Sequence, residues 1–138
     1  MESELRRILR QHSRSLTDEL VAQLTSGSTS HHRKTDPRVL SVRCRLLTEA
    51  LIRSAHQGTE QLGDFVATVA RRRLAEGFEL ADLQRALRIL EVLAWRTVAR
   101  ESTLDSLAAN LAALNTAMGY ARDELARVSL AHAYGVAS

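Results

Sequence analysis

Residues 103–134 read TLDSLAANLAALNTAMGYARDELARVSLAHAY, and this stretch decides the fold class. Its apolar residues recur at spacings of three and four, which places them along one side of a helix for about four heptads. The stripe consists of Leu104, Leu107, Leu111, Leu114, Met118, Ala121, Leu125, Val128 and His132. The flanking positions carry too few charges to specify a freestanding coiled coil. The stretch therefore predicts a long terminal helix that packs within a bundle.

The rest of the chain also has an all-α composition. Only 1 proline and 6 glycines interrupt its 138 residues, and leucine, alanine, arginine and glutamate dominate elsewhere. The pattern predicts helices at about 3–25, 38–56, 60–76, 80–101 and 103–134, with a flexible loop at 25–37. Gly77 stands where a left-handed helix stop is expected, and Ser102 to Asp105 has the spacing of a capping box. We predict a single domain spanning residues 1–138.

Composition excludes several classes of protein. With 45% hydrophobic and 25% charged residues, the chain resembles an average soluble domain and not a disordered one. A single cysteine cannot form an internal disulfide, and no apolar run approaches the roughly 18 residues of a membrane span. We therefore expect a cytoplasmic protein that does not enter a membrane. The terminal helix has scarcely ended at Ser138, so we expect an effector segment to follow it.

The predicted helix at 80–101 carries two apolar faces. The broader face predicts a core position and consists of Leu83, Ala86, Leu87, Leu90, Ala94 and Val98. Val92, Trp95 and Ala99 lie nearly opposite, where either a second layer of the same domain or a partner subunit or ligand covers them. We predict a homodimer that uses this second face together with part of the terminal stripe. The predicted interface residues are Val92, Trp95, Ala99, Leu111, Met118, Leu125, Val128 and His132.

The residue pattern predicts neither catalysis nor a metal or cofactor. The histidines, at positions 12, 31, 32, 56 and 132, form neither a helical ligand pair nor the E-x-x-H motif of di-iron bundles. We expect His31 and His32 to be solvated in the loop, and a central helix without histidine argues against haem. Cys44 lies in the apolar stripe of the second helix, which predicts a small buried hydrophobe. Glu91 is expected to pair with Arg88, one turn before it.

The arginines leave nucleic-acid binding open as an alternative. The net charge is +3, and the basic excess lies in the first half of the chain. Arg71, Arg72 and Arg73 form the densest patch, but three successive helical residues fan over about 200° and cannot make one face. Solvated surface is therefore favoured over a stand-alone nucleic-acid-binding module built on the arginine-rich helices. A small helical enzyme ranks third.

One segment resembles a known protein family. Residues 73–91 read RLAEGFELADLQRALRILE, with an arginine-rich helix end, a glycine–aromatic turn and Leu-x-Asp-Leu opening a long helix. This pattern is similar to the helix-turn-helix core of the N-terminal domains of RsbT co-antagonists. Residues 63–65 and 125–134 are also similar in placement, so the resemblance covers most of the chain.

The resemblance implies a globin-like, haem-free helical domain at the N-terminus of a bacterial regulator. Such domains are typically dimeric and are joined through their last helix to an effector. Effectors of this kind include the STAS domains of stressosomes, helix-turn-helix activators, and kinase or phosphatase modules. No catalytic residues carry over, because the family motif contains none. We therefore expect a non-catalytic sensory and dimerisation domain for stress-response signal transduction, acting through residues 103–134.

Overall fold

Helices account for all regular structure in the computed structural model, which describes residues 2–26, 31–58 and 60–135. In chain order they are α1 (Glu4–Gln11), α2 (Ser13–Thr25), α3 (His31–Lys34), α4 (Pro37–Gln57), α5 (Glu60–Ala75), α6 (Leu80–Glu101) and α7 (Leu107–Ala133). These ranges contain no strand, so the all-α prediction is confirmed. Within the predicted loop, α3 adds one helical turn, and residues 27–30 lie outside the described ranges.

The first predicted helix is divided at His12. The backbone of His12 leaves helical geometry at φ −104° and ψ 10°, which ends α1, and its carbonyl accepts a 2.9 Å hydrogen bond from the Leu16 amide of α2. Its imidazole Nε2 lies 3.3 Å from Glu101 Oε1 at the end of α6. Leu9 and Leu16 keep helical spacing across the break and are both buried, so the apolar pattern conceals it.

The core lies between α7, which packs on α5 and α6, and α1 and α2, which pack on α4 and α6. The middle of the terminal stripe is buried, whereas its ends at Leu104 and His132 are exposed. The core residues of α7 are Leu114, Met118, Ala121, Leu125 and Val128. This long helix therefore packs inside the bundle, as its pattern predicts.

The turn between α5 and α6 forms as the sequence predicts. Gly77 adopts φ +99°, a left-handed conformation that favours glycine. The Phe78 amide donates a 3.0 Å hydrogen bond to the Arg73 carbonyl, which closes the end of α5. Asp82 then accepts a 3.0 Å bond from the Glu79 amide in a capping box that starts α6.

The predicted capping box at Ser102 is wrong. The last helix begins at Leu107, and Ser102 Oγ accepts instead from the Asn110 side chain at 2.9 Å. Asn110 also donates to Glu4 at 2.9 Å, and Thr103 donates to the same carboxylate. These hydrogen bonds, Asn110's first, hold the pKa of Glu4 below its ordinary value. The hydrogen bonds with Glu4 of α1 and with Asn110 therefore occupy the polar side chains of Ser102 and Thr103, which do not cap α7.

Helices α5 and α7 approach most closely at Gly63. The ring of Tyr120 lies over this glycine, so that a Cβ added there would fall within the ring. Ala67 and Ala70 follow on the same face of α5 at helical spacing. Because these side chains are small, α7 can lie close to α5.

Gly63→Ala is expected to lower the free energy of unfolding by about 1 to 3 kcal/mol, because the added methyl group displaces the Tyr120 ring. Gly119→Ala is the matched control. Its added Cβ would meet only Arg122 Nη2, at 3.8 Å, so the gain in helix propensity should stabilise the protein by up to about 1 kcal/mol. In a Tyr120→Ala background, Gly63→Ala should also become stabilising. Urea denaturation followed by circular dichroism measures the free energy of unfolding of each variant and of the Tyr120→Ala background. Equal changes in this free energy at the two glycines would contradict the close contact.

Candidate functional site

A cavity of about 260 Å³ opens between α4, α5 and α6. Side chains from α2, α3 and α7 complete its lining. Its buried floor is apolar and includes Leu24, Leu40, Cys44, Leu87 and Leu125. Leu46, Thr68 and Arg72 also line it but are exposed, and they mark its mouth. Pockets between the helices of a bundle are common sites for small molecules.

Three arginines line this cavity: Arg43, Arg72 and Arg73. Arg73 is only 8% exposed, and its Nη1 lies 3.2 Å from Glu76 Oε1. Arg43 Nη2 lies 3.8 Å from the same oxygen. Burial, followed by the charges of Arg43 and Arg72, lowers the pKa of Arg73. The prediction that residues 71–73 are all solvated is therefore wrong for Arg73, because α4 packs beside it.

His32 is buried at the edge of the cavity, contrary to the prediction of a solvated loop histidine. Its Nε2 lies 2.9 Å from the Asp82 carbonyl oxygen and must donate, because a carbonyl only accepts. The imidazole also meets the Phe78 ring edge-on at a centroid distance of 5.2 Å. The Arg43 guanidinium lies 6.0 Å from the centroid of that ring. Nothing in the local pattern of residues 31–34 indicates this contact, because the partners come from α6 and the turn before it.

Cys44 faces the same cavity and is buried, as the apolar stripe of α4 predicts. Burial raises the pKa of its thiol to about 11. The thiol is therefore protonated near neutral pH and is a poor nucleophile.

The structure divides the predicted interface residues between surface and core. Val92 and Trp95 are 41% and 37% exposed, and Ala99 is exposed beside them. Leu111 is half-buried, and His132 is exposed near the end of α7. In contrast, Met118, Leu125 and Val128 fill the core of the single chain, because this side of α7 faces α5 and α6. The structure therefore removes these three residues from the predicted interface.

A second exposed apolar strip runs along α4. Val39, Val42 and Leu46 are each at least 39% exposed and follow one another at helical spacing. Sequence reasoning singled out only the inward stripe of this helix. The strip could have been found on a helical wheel, where it lies away from the line of Leu40 and Cys44.

The charged pairs also differ from those predicted. Glu91 forms an ion pair with Arg122 of α7 and not with Arg88 of its own helix. On α1, Arg6 and Arg10 both pair with Glu2, at 2.7 and 2.8 Å. Two arginines of α1 are therefore neutralised by an acidic residue that precedes the helix.

Within the described ranges, no three His, Cys, Asp or Glu side chains cluster closely enough to hold a metal ion. The side chains of His31 and His56 lie outside the described residues. No helix in the described part of the chain is long and apolar enough to cross a membrane.

An all-α bundle with an apolar, arginine-rimmed cavity among its helices defines a helical domain with room for a small molecule. Comparison with known families makes this more specific. The chain belongs to the family of RsbT co-antagonist protein rsbRD N-terminal domains, whose profile matches residues 4–135. This is a regulatory family, of N-terminal domains in stressosome-related regulators. No curated protein and no solved structure matches the chain significantly.

His32 should make the stability of the protein depend on pH. Burial, the largest effect, and the nearby Arg85 and Arg43 lower its pKa from 6.5, although the Asp82 contacts oppose this. As the pH falls below about 6.5, the unfolded chain binds a proton that the folded chain resists, so the free energy of unfolding should decrease. The change for this one group is at most about 1.4 kcal/mol per pH unit.

Urea denaturation at about pH 7.5 and about pH 5.5 tests this expectation. His32→Gln keeps an N–H donor for the Asp82 carbonyl but cannot titrate, so the variant should lose less stability on acidification than the wild type. The same pH dependence in the wild type and in His32→Gln would show that His32 is not responsible.

Proposed function

We propose that this chain is a non-catalytic sensory and dimerisation domain of a bacterial stress-response regulator, with α7 passing the signal to an effector. One observation carries the proposal: Leu125 of α7 forms part of the cavity floor, while the same helix continues past its last core residue, Val128, to Ala133. Leu130 and Tyr134 near its end are 60% and 76% exposed. The helix that lines the cavity is therefore also the one that leaves the core.

Two leucines would couple the contents of the cavity to the position of α7. Leu87 of α6 and Leu125 of α7 line the apolar cavity and also a second depression between these helices. A molecule that reaches the buried floor of the cavity would contact this shared wall. Because packed cores switch between discrete arrangements, a change in the wall shifts the position of α7 as a two-state transition. The Glu91–Arg122 ion pair spans the two helices beside the wall and moves with them.

The proposed dimer uses the exposed face of α6. Val92, Trp95 and Ala99 share this face, and Arg88 and Arg96 are exposed along the same helix. Tryptophan and arginine are the usual anchors of interfaces. The half-buried Leu111 and the exposed His132 complete the proposed set. A STAS, kinase, phosphatase or helix-turn-helix effector, a cytoplasmic location and a haem-free globin-like fold belong to the same proposal, as what the family resemblance implies.

Leu87→Ala should raise amide hydrogen exchange at residues 126–133 of α7, because it removes half of the shared wall. Leu90→Ala is the matched control: Leu90 is fully buried on the same helix but does not line the cavity. Both variants should cost about 2 to 5 kcal/mol of stability, so exchange is compared after correction for the global change. Equal effects of the two variants on α7 would remove the basis for signalling through this wall.

Trp95→Ala should weaken dimerisation by about 2 kcal/mol or more, which is roughly a 30-fold loss in the association constant. Its helical circular dichroism should be preserved, and its loss of folding stability should stay below the loss of about 3 to 5 kcal/mol expected for a fully buried aromatic residue, because Trp95 is 37% exposed. Sedimentation equilibrium measures the association constant directly.

Two further variants form a matched pair. Val92 and Val42 are 41% and 45% exposed on α6 and α4, so their alanine variants remove the same group from the two apolar faces. Val92→Ala should weaken the dimer and Val42→Ala should not. The reverse result would place the interface on α4, and a monomeric wild type would remove the dimer from the proposal.

A further inference from the structure

We propose that the cavity binds an amphiphile with a single acyl chain and a carboxylate head, of the chemical class of medium-chain fatty acids. The ligand would be the stimulus of the sensory domain, so its signalling role rests on the proposed function. Binding of the ligand does not depend on that function, and separate experiments test binding and signalling.

The exposure of the lining residues orients such a ligand. Leu24, Leu40 and Leu87 are buried at the floor, whereas Arg72 and Leu46 are exposed at the mouth. An acyl chain would therefore point inward and its head would remain at the mouth. A volume of about 260 Å³ lies just below the roughly 300–1,000 Å³ usual for small-molecule pockets. It suits a chain of modest length and excludes a macrocycle.

The positive charge of the cavity lining selects the head group. Arg43, Arg72 and Arg73 contribute three positive charges, and Glu76 is the one carboxylate among the described residues that pairs with them. Arg43 and Arg73 share that carboxylate, and Arg72 contributes a further unfavourable charge to the buried Arg73. An anion at this point offsets the mutual repulsion of the guanidinium groups. Carboxylates also match guanidinium geometry, because two parallel N–H···O bonds form at once.

Other ligand classes fit the cavity less well. A cationic amphiphile would meet the three arginines, and a neutral alcohol would leave their charge excess in place. A small anion such as acetate would leave the apolar walls unfilled. Only an anion with an apolar chain uses both parts of the lining.

Isothermal titration calorimetry with decanoate, below its micelle-forming concentration, tests the proposal. Decanoate should bind, and decanol, decyltrimethylammonium and acetate should bind at least about ten-fold more weakly. From octanoate to decanoate the affinity should rise about four-fold per methylene, as expected when each is buried in an apolar wall. Equal affinity for decanoate and decanol would overturn the role of the arginines, and no binding of decanoate would overturn the proposal.

Variants locate the site. Arg72→Gln should weaken decanoate binding by about ten-fold or more, because it removes an exposed charge at the mouth. Arg14→Gln is the matched control, since Arg14 is equally an exposed helical arginine but does not line the cavity. Ala86→Leu should abolish binding by filling the cavity, and circular dichroism verifies that it folds. Equal affinities of Arg72→Gln and Arg14→Gln would place the ligand elsewhere.

Two further experiments ask whether the acyl chain comes from a free ligand or a membrane, and whether its binding changes α7. Sedimentation with phosphatidylglycerol vesicles should recover no protein, and recovery without binding of monomeric decanoate would replace the free ligand by a membrane surface. Hydrogen exchange of α7 is then compared with and without decanoate. Binding with unchanged α7 exchange would leave this inference standing and contradict the proposed function. If Leu87→Ala raises hydrogen exchange in α7 but decanoate does not bind the protein, only this inference is contradicted.

Discussion

The close approach of α5 and α7 is the constraint on which the rest of the fold depends. Tyr120 can lie across α5 only because Gly63 has no side chain, and the alanines that follow keep that face shallow. With α7 held there, its buried stripe closes the core against α4 and α6. The cavity is a product of the same arrangement, since Leu125 reaches its floor from one side and Leu87 from the other.

Periodicity in the sequence predicts the elements of this fold better than their contacts. The bounds of α6, the buried side of α7, the stop at Gly77 and the burial of Cys44 all follow from spacing along single helices. His32, Arg73 and the partner of Glu91 were predicted incorrectly because each is determined by a different helix that packs alongside. The candidate cavity escaped sequence analysis for the same reason: its lining comes from six helices, and no local pattern connects them.

Arg73 takes part both in the turn between α5 and α6 and in the lining of the cavity. Its carbonyl accepts the Phe78 amide in the turn at Gly77, while its guanidinium lies buried beside Arg43 and Glu76. The turn therefore determines where this charge is held, and the adjacent Phe78 packs against His32 and Arg43. Glu76 pairs with this buried charge, and removing the carboxylate would leave the charge uncompensated at a cost in free energy. This accounts for how one short turn can organise both the end of a helix and the polar part of a pocket.

The single tryptophan and the single cysteine lie in different environments, one on the outer face of α6 and one inside the cavity. The unmodified chain consequently contains two independent optical reporters. Indole emission responds to the polarity around Trp95 and so to whatever covers that face. A chromogenic thiol reagent reaches Cys44 only when the cavity opens. Coverage of the Trp95 face and access to Cys44 can thus be followed over the same time course in one sample of this sequence.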